Sequence, residues 1–165
     1  MKPLEPPASF FVLAAQGWLE LGCPREAALE LAELPEEHQD HPEVLNARWQ
    51  IAARQKEWGN CLASAEALMA AAPDEASGWI HRSYALHELK RTQEAWDALL
   101  PAAERFKNEP VIAYNLACYA CQMRRLDEAW EWLERAAKLG DRKAIKTMAG
   151  KDPDLAPLRE AIARL

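Results

Sequence analysis

The chain has 165 residues, half of them hydrophobic and 28% charged, with a formal net charge of −6. That gives enough apolar surface for a folded core, but the wrong sign for a protein that neutralises nucleic-acid phosphates or an anionic membrane surface. No stretch approaches the ~18 uninterrupted apolar residues of a transmembrane helix, and the start, MKPLEPPASFF, lacks the basic end, apolar run and cleavage site of a secretory signal, so the expected location is cytoplasmic.

Ala, Leu and Glu dominate, glycine is scarce and there are three valines, which predicts helix throughout and no strand. In chain order, apolar periodicity predicts helices over 9–21 and 25–34, broken by Gly22, Cys23 and Pro24. A second pair runs over 43–55 and 59–71. Ala72, Pro73 and Asp74 separate it from a third, 77–89 and 93–106. Asn108, Glu109 and Pro110 precede the fourth, 111–123 and 127–138, which Gly140 and Asp141 close. Pro101 falls inside the sixth helix and is expected to kink or restart it. The tail predicts a short helix from Arg142 to Ala149, a break from Gly150 to Pro153, and a second helix from Leu155 to Leu165. Leu155, Leu158 and Ile162 recur at helical spacing as a covering face.

A period of 34 residues organises these pairs. Ala27, Cys61, Ala95 and Ala129 share that spacing and are all small. So spaced are Ala15, Trp49, Ser83 and Ala117; Leu31, Ala65, Leu99 and Leu133; and Leu34, Leu68, Ala102 and Ala136. Such a period holds two helices of about a dozen residues and two turns. Small residues allow a close helix crossing, larger ones fill the space beside it, and each pair covers the apolar face of the last. The expected architecture is one array over 1–165. Its repeats run about 8–41, 42–75, 76–109 and 110–141, with a C-terminal cap over 142–165.

The segment YNLACYACQMRRLDEAWEWLERAAKLGD resembles a tetratricopeptide (TPR) repeat. Leu116-Ala117 stand at the family's Leu-Gly pair, Ala129 at its Ala, Leu133 at its aromatic position, and Asp127-Glu128-Ala129 match the common opening of the second helix. Trp79, Leu86 and Ala95 match in the third repeat, Pro73 in the second, and Gly22 and Ala27 in the first. The likeness spans residues 8–141. Departures are Trp49 where a small residue is usual, Lys56, Lys90 and Arg124 in place of the turn glycine, and a closing Pro missing from three repeats. With Trp49 at that position, the helices must separate or the indole must turn to an edge. The resemblance implies an all-α, TPR-type alpha-solenoid: a right-handed superhelical stack of antiparallel helix pairs with C-terminal capping helices.

It also implies a protein- or peptide-binding scaffold that uses the groove lined by the first helix of each pair. Carried over by position, the lining residues are Gln16, Asn46, Gln50, Arg54, His81, Tyr84, His87, Tyr114, Asn115 and Gln122, with Ser9, Val12, Glu20 and Cys118 beside them. Amides can pair with a peptide backbone as donor and acceptor, and tyrosines add rigid contact area with one polar tip. Asn115 matches the family's groove asparagine, which grips the ligand main chain. His81 and His87 are read as groups that sense pH or meet a carboxylate, or else as plain solvent-facing histidines. The family's carboxylate clamp is not matched, since Val12, Gln16, Ala47, Ser77 and His81 stand at its positions.

The partner is therefore a protein or peptide, with no nucleic acid, no membrane and no cofactor, and homo-oligomers are allowed. A type III secretion-like chaperone is one alternative. Another is a metal or redox protein using Cys118, Cys121 and His87, against small helix-packing cysteines. Trp96 and Trp130 stand 34 residues apart, as a stacking pair for a base or as core. No phosphate loop, His-Glu-x-x-His site or nucleophile elbow occurs, so no enzyme activity is expected.

Overall fold

The computed structural model describes residues 3–165, and among them every regular element is helical. The helices are α1 Ala8–Glu20, α2 Pro24–Ala32, α3 Pro42–Gln55, α4 Trp58–Ala71, α5 Ala76–Glu88, α6 Thr92–Arg105, α7 Pro110–Gln122, α8 Leu126–Leu139, α9 Arg142–Ala149 and α10 Arg159–Ile162. Helices α1 to α8 start and end within two residues of their sequence-predicted bounds. Local chemistry accounts for the starts. Proline opens α2, α3 and α7, where its fixed φ suits a helix and its missing N–H has no intrahelical partner to lose. Asp141 Oδ1 accepts from Ala144 N (2.9 Å) at the start of α9, and Glu109 Oε1 accepts from Val111 N (3.1 Å) at α7.

The four hairpin turns repeat one backbone device. Gly22, Lys56, Lys90 and Arg124 all take left-handed φ, between 59° and 76°. In each turn that residue's N–H bonds back three residues, as Lys56 N does to Ala53 O (3.1 Å). The next N–H bonds back five: Cys23 to Trp18, Glu57 to Ala52, Arg91 to Leu86 and Arg125 to Ala120, at 2.9–3.0 Å. This is the Schellman arrangement, which satisfies the last carbonyls of the first helix.

The chain forms two compact units, Met1–Ala85 and Leu86–Leu165, dividing inside α5. In the first, Ala8, Val12, Ala15 and Leu19 of α1 and Ala27 and Leu31 of α2 pack on Val44, Ala47 and Ile51 of α3. Ala52, Cys61 and Ala85 make a second cluster with Trp49 and Trp58 at its edge. At Gly78 a Cβ would lie 2.9 Å from the Met69 backbone nitrogen, so the close approach of α5 to α4 needs a glycine there. In the second unit, Leu99, Leu116 and Leu133 have no exposed surface. The small series Ala27, Cys61, Ala95 and Ala129 is fully buried in its respective units.

Two local expectations are corrected and one element was not anticipated. Helix α6 continues through Pro101 and does not restart there. Pro101 and Asp97, whose carbonyl loses its usual N–H partner, are both exposed, so water can take that bond. Residues 36–38 form a 3-10 turn not anticipated in the sequence. The tail does not form one helix over 155–165. Pro153–Leu158 winds as a 3-10 helix and only Arg159–Ile162 is α. Pro157 has no N–H to give to either winding, so the segment lacks one of the bonds that a continuous α-helix over 155–165 would use. Side chains three apart align in a 3-10 helix, which still puts Leu155 (0% exposed) and Leu158 (8%) on one buried row.

Candidate functional site

In the first unit, α1, α3, α4 and α5 bring Gln16, Glu20, Gln50, Arg54 and Tyr84 around one open depression of about 480 Å³. Its remaining lining is Leu19, Trp49, Ala53 and Trp58. Val12 lies in the core instead, at 5% exposure, because its register on α1 matches that of the buried Ala8, Ala15 and Leu19.

Trp49 takes the second of the two courses open to it. It lines the depression, and its indole lies flat on the His81 ring, with centroids 3.8 Å apart and planes 7° from parallel. Tyr84 meets both Trp49 and Trp58 edge-on, at 6.0 and 5.9 Å. Behind this aromatic wall the His81 Nε2–H donates to Asn46 Oδ1 at 2.7 Å. Burial pushes the His81 pKa down to about 4, so the ring is neutral at neutral pH and this bond sets its tautomer. Asn46 and His81 thus buttress the wall, while Gln16, Gln50, Arg54 and Tyr84 face the opening.

In the second unit the expected lining residues meet the chain's own tail. His87, 7% exposed, is bonded on both ring nitrogens: Nδ1 to Thr92 Oγ1 and Nε2 to Asp154 Oδ2, each at 3.0 Å. The Tyr114 hydroxyl donates to Asp152 Oδ2 at 2.8 Å, and the Cys118 thiol donates to the same oxygen at 3.7 Å. Gln122 Nε2 donates to the Asp154 carbonyl oxygen at 2.9 Å. Asp152 Oδ1 also accepts from Asp154 N at 2.9 Å, which fixes the turn that aims both carboxylates at these helices. Of the two readings of His87, it meets a carboxylate. Asn115 is half-buried and takes no part in these bonds.

Burial, the neighbouring thiol and the Asp152 and Asp154 carboxylates together hold the Tyr114 hydroxyl protonated far above its usual range. Burial first, then the same two carboxylates, raises the Cys118 thiol well above its ordinary value, and Cys121 is raised mainly by burial. Neither cysteine is a ready thiolate for redox chemistry or metal ligation. Among the described residues no group of three or more metal-ligating side chains is gathered. The His87 nitrogens a metal would need are already bonded. Trp96, 5% exposed, pairs edge-on with Trp132 at 6.3 Å rather than with Trp130.

Asp152, Asp154, Trp49 and Trp58 were not among the sequence-derived lining residues. The Asp-Pro-Asp run after Gly150 was the available signal for the first two, since aspartates flanking a proline mark a capped turn. What that turn touches depends on the path of the tail.

No family model matches the chain, and no curated protein sequence matches it. Solved structures do. The chain is similar to "MamA 41-end from Desulfovibrio magneticus RS-1", with TM-score 0.70 and 16% identity, covering 98% of this chain and 92% of that one. It is also similar to "MamA RS-1 ArsTM double mutant", with TM-score 0.69 and 16% identity, covering 86% of this chain and 79% of that one. MamA is TPR-like. At this identity the likeness is one of fold: the chain is an all-helical repeat protein of the TPR type. Among the described residues, no helix is long and apolar enough to cross a membrane.

Proposed function

We propose that the chain is a protein- or peptide-binding scaffold whose receptor surface is the depression around Gln16, Gln50, Arg54 and Tyr84. The observation that carries this is the pairing, in one open site, of amide side chains with an aromatic wall that is already rigid. Gln16 and Gln50 can each offer both a donor and an acceptor to an extended main chain. Trp49, Trp58 and Tyr84 supply apolar area at little entropic cost. Glu20 and Arg54 place opposite charges on the rim and favour a ligand of mixed charge.

His87, Tyr114 and Gln122 belong to the reading in a second way. The Asp152–Asp154 segment bonds them in the manner of a peptide ligand, so a partner would meet them only in its place. The role is binding rather than catalysis, and no feature of the site favours a secretion chaperone or a metal protein.

Affinity capture with wild type and with a Gln50→Ala/Tyr84→Ala variant tests the proposal. The variant should melt as wild type does and lose the partners that wild type retains. A folded variant that keeps every partner refutes it. Loss seen with Asn115→Ala alone would move the receptor surface to α7.

A further inference from the structure

The first hairpin carries a second surface, on the side turned away from α3. Helix α1 is apolar on both of its faces. Ala8, Val12, Ala15 and Leu19 are buried, yet Phe10 and Leu13 on the opposite face and Leu21 just past the helix end are 60%, 65% and 73% exposed. Glu20 is its one charged residue. A helix apolar all round is one that is covered all round, and exposed apolar residues grouped on one face mark an interaction site where scattered ones do not. Beside this stripe, Trp18 of α1 and Leu29 of α2 open on a shallow depression of about 380 Å³ whose other lining residues are Glu26, Glu30 and Glu33.

The charge around it is one-sided. The first 40 residues hold eight acidic and two basic side chains, a net −6 equal to that of the whole chain, so the remaining 125 residues are balanced. Glu26 and Glu30 of α2 and Glu33 just past its end follow one another at helical spacing along the depression, with Arg25 the only basic residue on that helix. An occupant must therefore offer an apolar stripe and positive flanks. A second copy would set these glutamates against glutamates, and an anionic lipid surface would be repelled.

We infer that the outer face of the α1–α2 hairpin docks a basic amphipathic helix of a partner protein. The occupant's leucine-type side chains cover Phe10, Leu21 and Leu29, and its lysines or arginines lie along Glu26, Glu30 and Glu33. This surface is distinct from the depression around Gln50 and Tyr84.

A dye-labelled Leu/Lys peptide with leucines at i, i+3, i+4 and i+7 serves as the probe, with a scrambled peptide of equal composition and a Leu/Glu counterpart as controls. Wild type should bind the Leu/Lys peptide saturably and in preference to both controls, and more weakly as salt rises. Leu29→Glu and, separately, Leu21→Ser should each weaken it roughly tenfold or more, as loss of a central apolar anchor does. Both positions are exposed, so melting curves should match wild type. The inference is overturned if either folded variant binds as wild type does, or if the scrambled peptide binds equally. It is also overturned if the Gln50→Ala/Tyr84→Ala variant alone loses the peptide, or if sedimentation shows a wild-type dimer that Leu29→Glu splits.

Discussion

At Lys56, Lys90 and Arg124 a long side chain sits on a left-handed backbone, with φ of 59°, 64° and 65°. The strain of an L-residue there is about 1–2 kcal/mol, partly offset by the freedom glycine would lose on folding. Each of Lys56→Gly, Lys90→Gly and Arg124→Gly should therefore raise stability by about 0.5–1 kcal/mol, read as a higher urea midpoint. Gly22→Ala should do the reverse. The fully buried small positions respond differently. Ala129 has no exposed surface, and its backbone N–H bonds to Arg125 O as the first turn of α8 forms. Ala129→Arg should cost more than about 4 kcal/mol, since it forces an unpaired charge into a close helix crossing. A wild-type melting temperature would contradict the crossing.

Among elements, the tail decides what the polar residues of the second unit meet. Its 3-10 turn places Leu155 in the core and sends Asp152 and Asp154 to Tyr114 and His87. The leucine row holds the segment down and the carboxylates satisfy polar groups that would otherwise be buried unpaired. Leu155→Ala should cost about 2–5 kcal/mol through the cavity it leaves. It should also loosen the 152–154 turn, so hydrogen exchange should quicken at the Asp154 amide. Equal protection in the two proteins would mean that the turn stands without its leucine. Pro101 and Pro157 each lack a donor, but Pro101 lies on an exposed face of a 14-residue helix and Pro157 in a six-residue 3-10 segment. A long helix tolerates one missing bond, whereas a short segment has few others to hold its winding.

For the whole molecule, titration sets a pH window. Burial favours neutral His81, whose pKa falls from 6.5 to about 4. Between those values the unfolded chain binds more protons than the folded one, so stability drops as pH falls through that range, by about 3 kcal/mol in full. At the other end burial holds Cys61 protonated, raising its pKa from 9.0 to about 11. The unfolded thiol ionises first, so stability drops again as pH rises above about 9. Urea midpoints under reducing conditions should be highest between about pH 6.5 and 9. His81→Gln should flatten the acid side, and Cys61→Ala should lessen the alkaline slope, to which the raised Cys118 and Cys121 thiols also contribute. An acid slope unchanged by His81→Gln would mean that the ring is not desolvated.

Helix existence, bounds and the 34-residue register were legible in the sequence, because each depends on local signals. Those signals are small residues at fixed spacing and the Gly and Pro breaks between helices, whereas the left-handed turns at Lys56, Lys90 and Arg124 read in the sequence only as departures from a turn glycine. The series through Ala27 and Ala129 is fully buried because a close crossing admits only small side chains, and that requirement shows in residue type alone. Which polar residues are open to a partner was not legible. Arg54 and Gln122 stand two periods apart, at like positions on first helices, yet Arg54 lines an open depression and Gln122 bonds the tail. Trp49 reads as a misfit until His81 is found beneath it. Those outcomes depend on contacts between residues 32 to 67 positions apart, and only the folded path of the chain brings such partners within hydrogen-bond range.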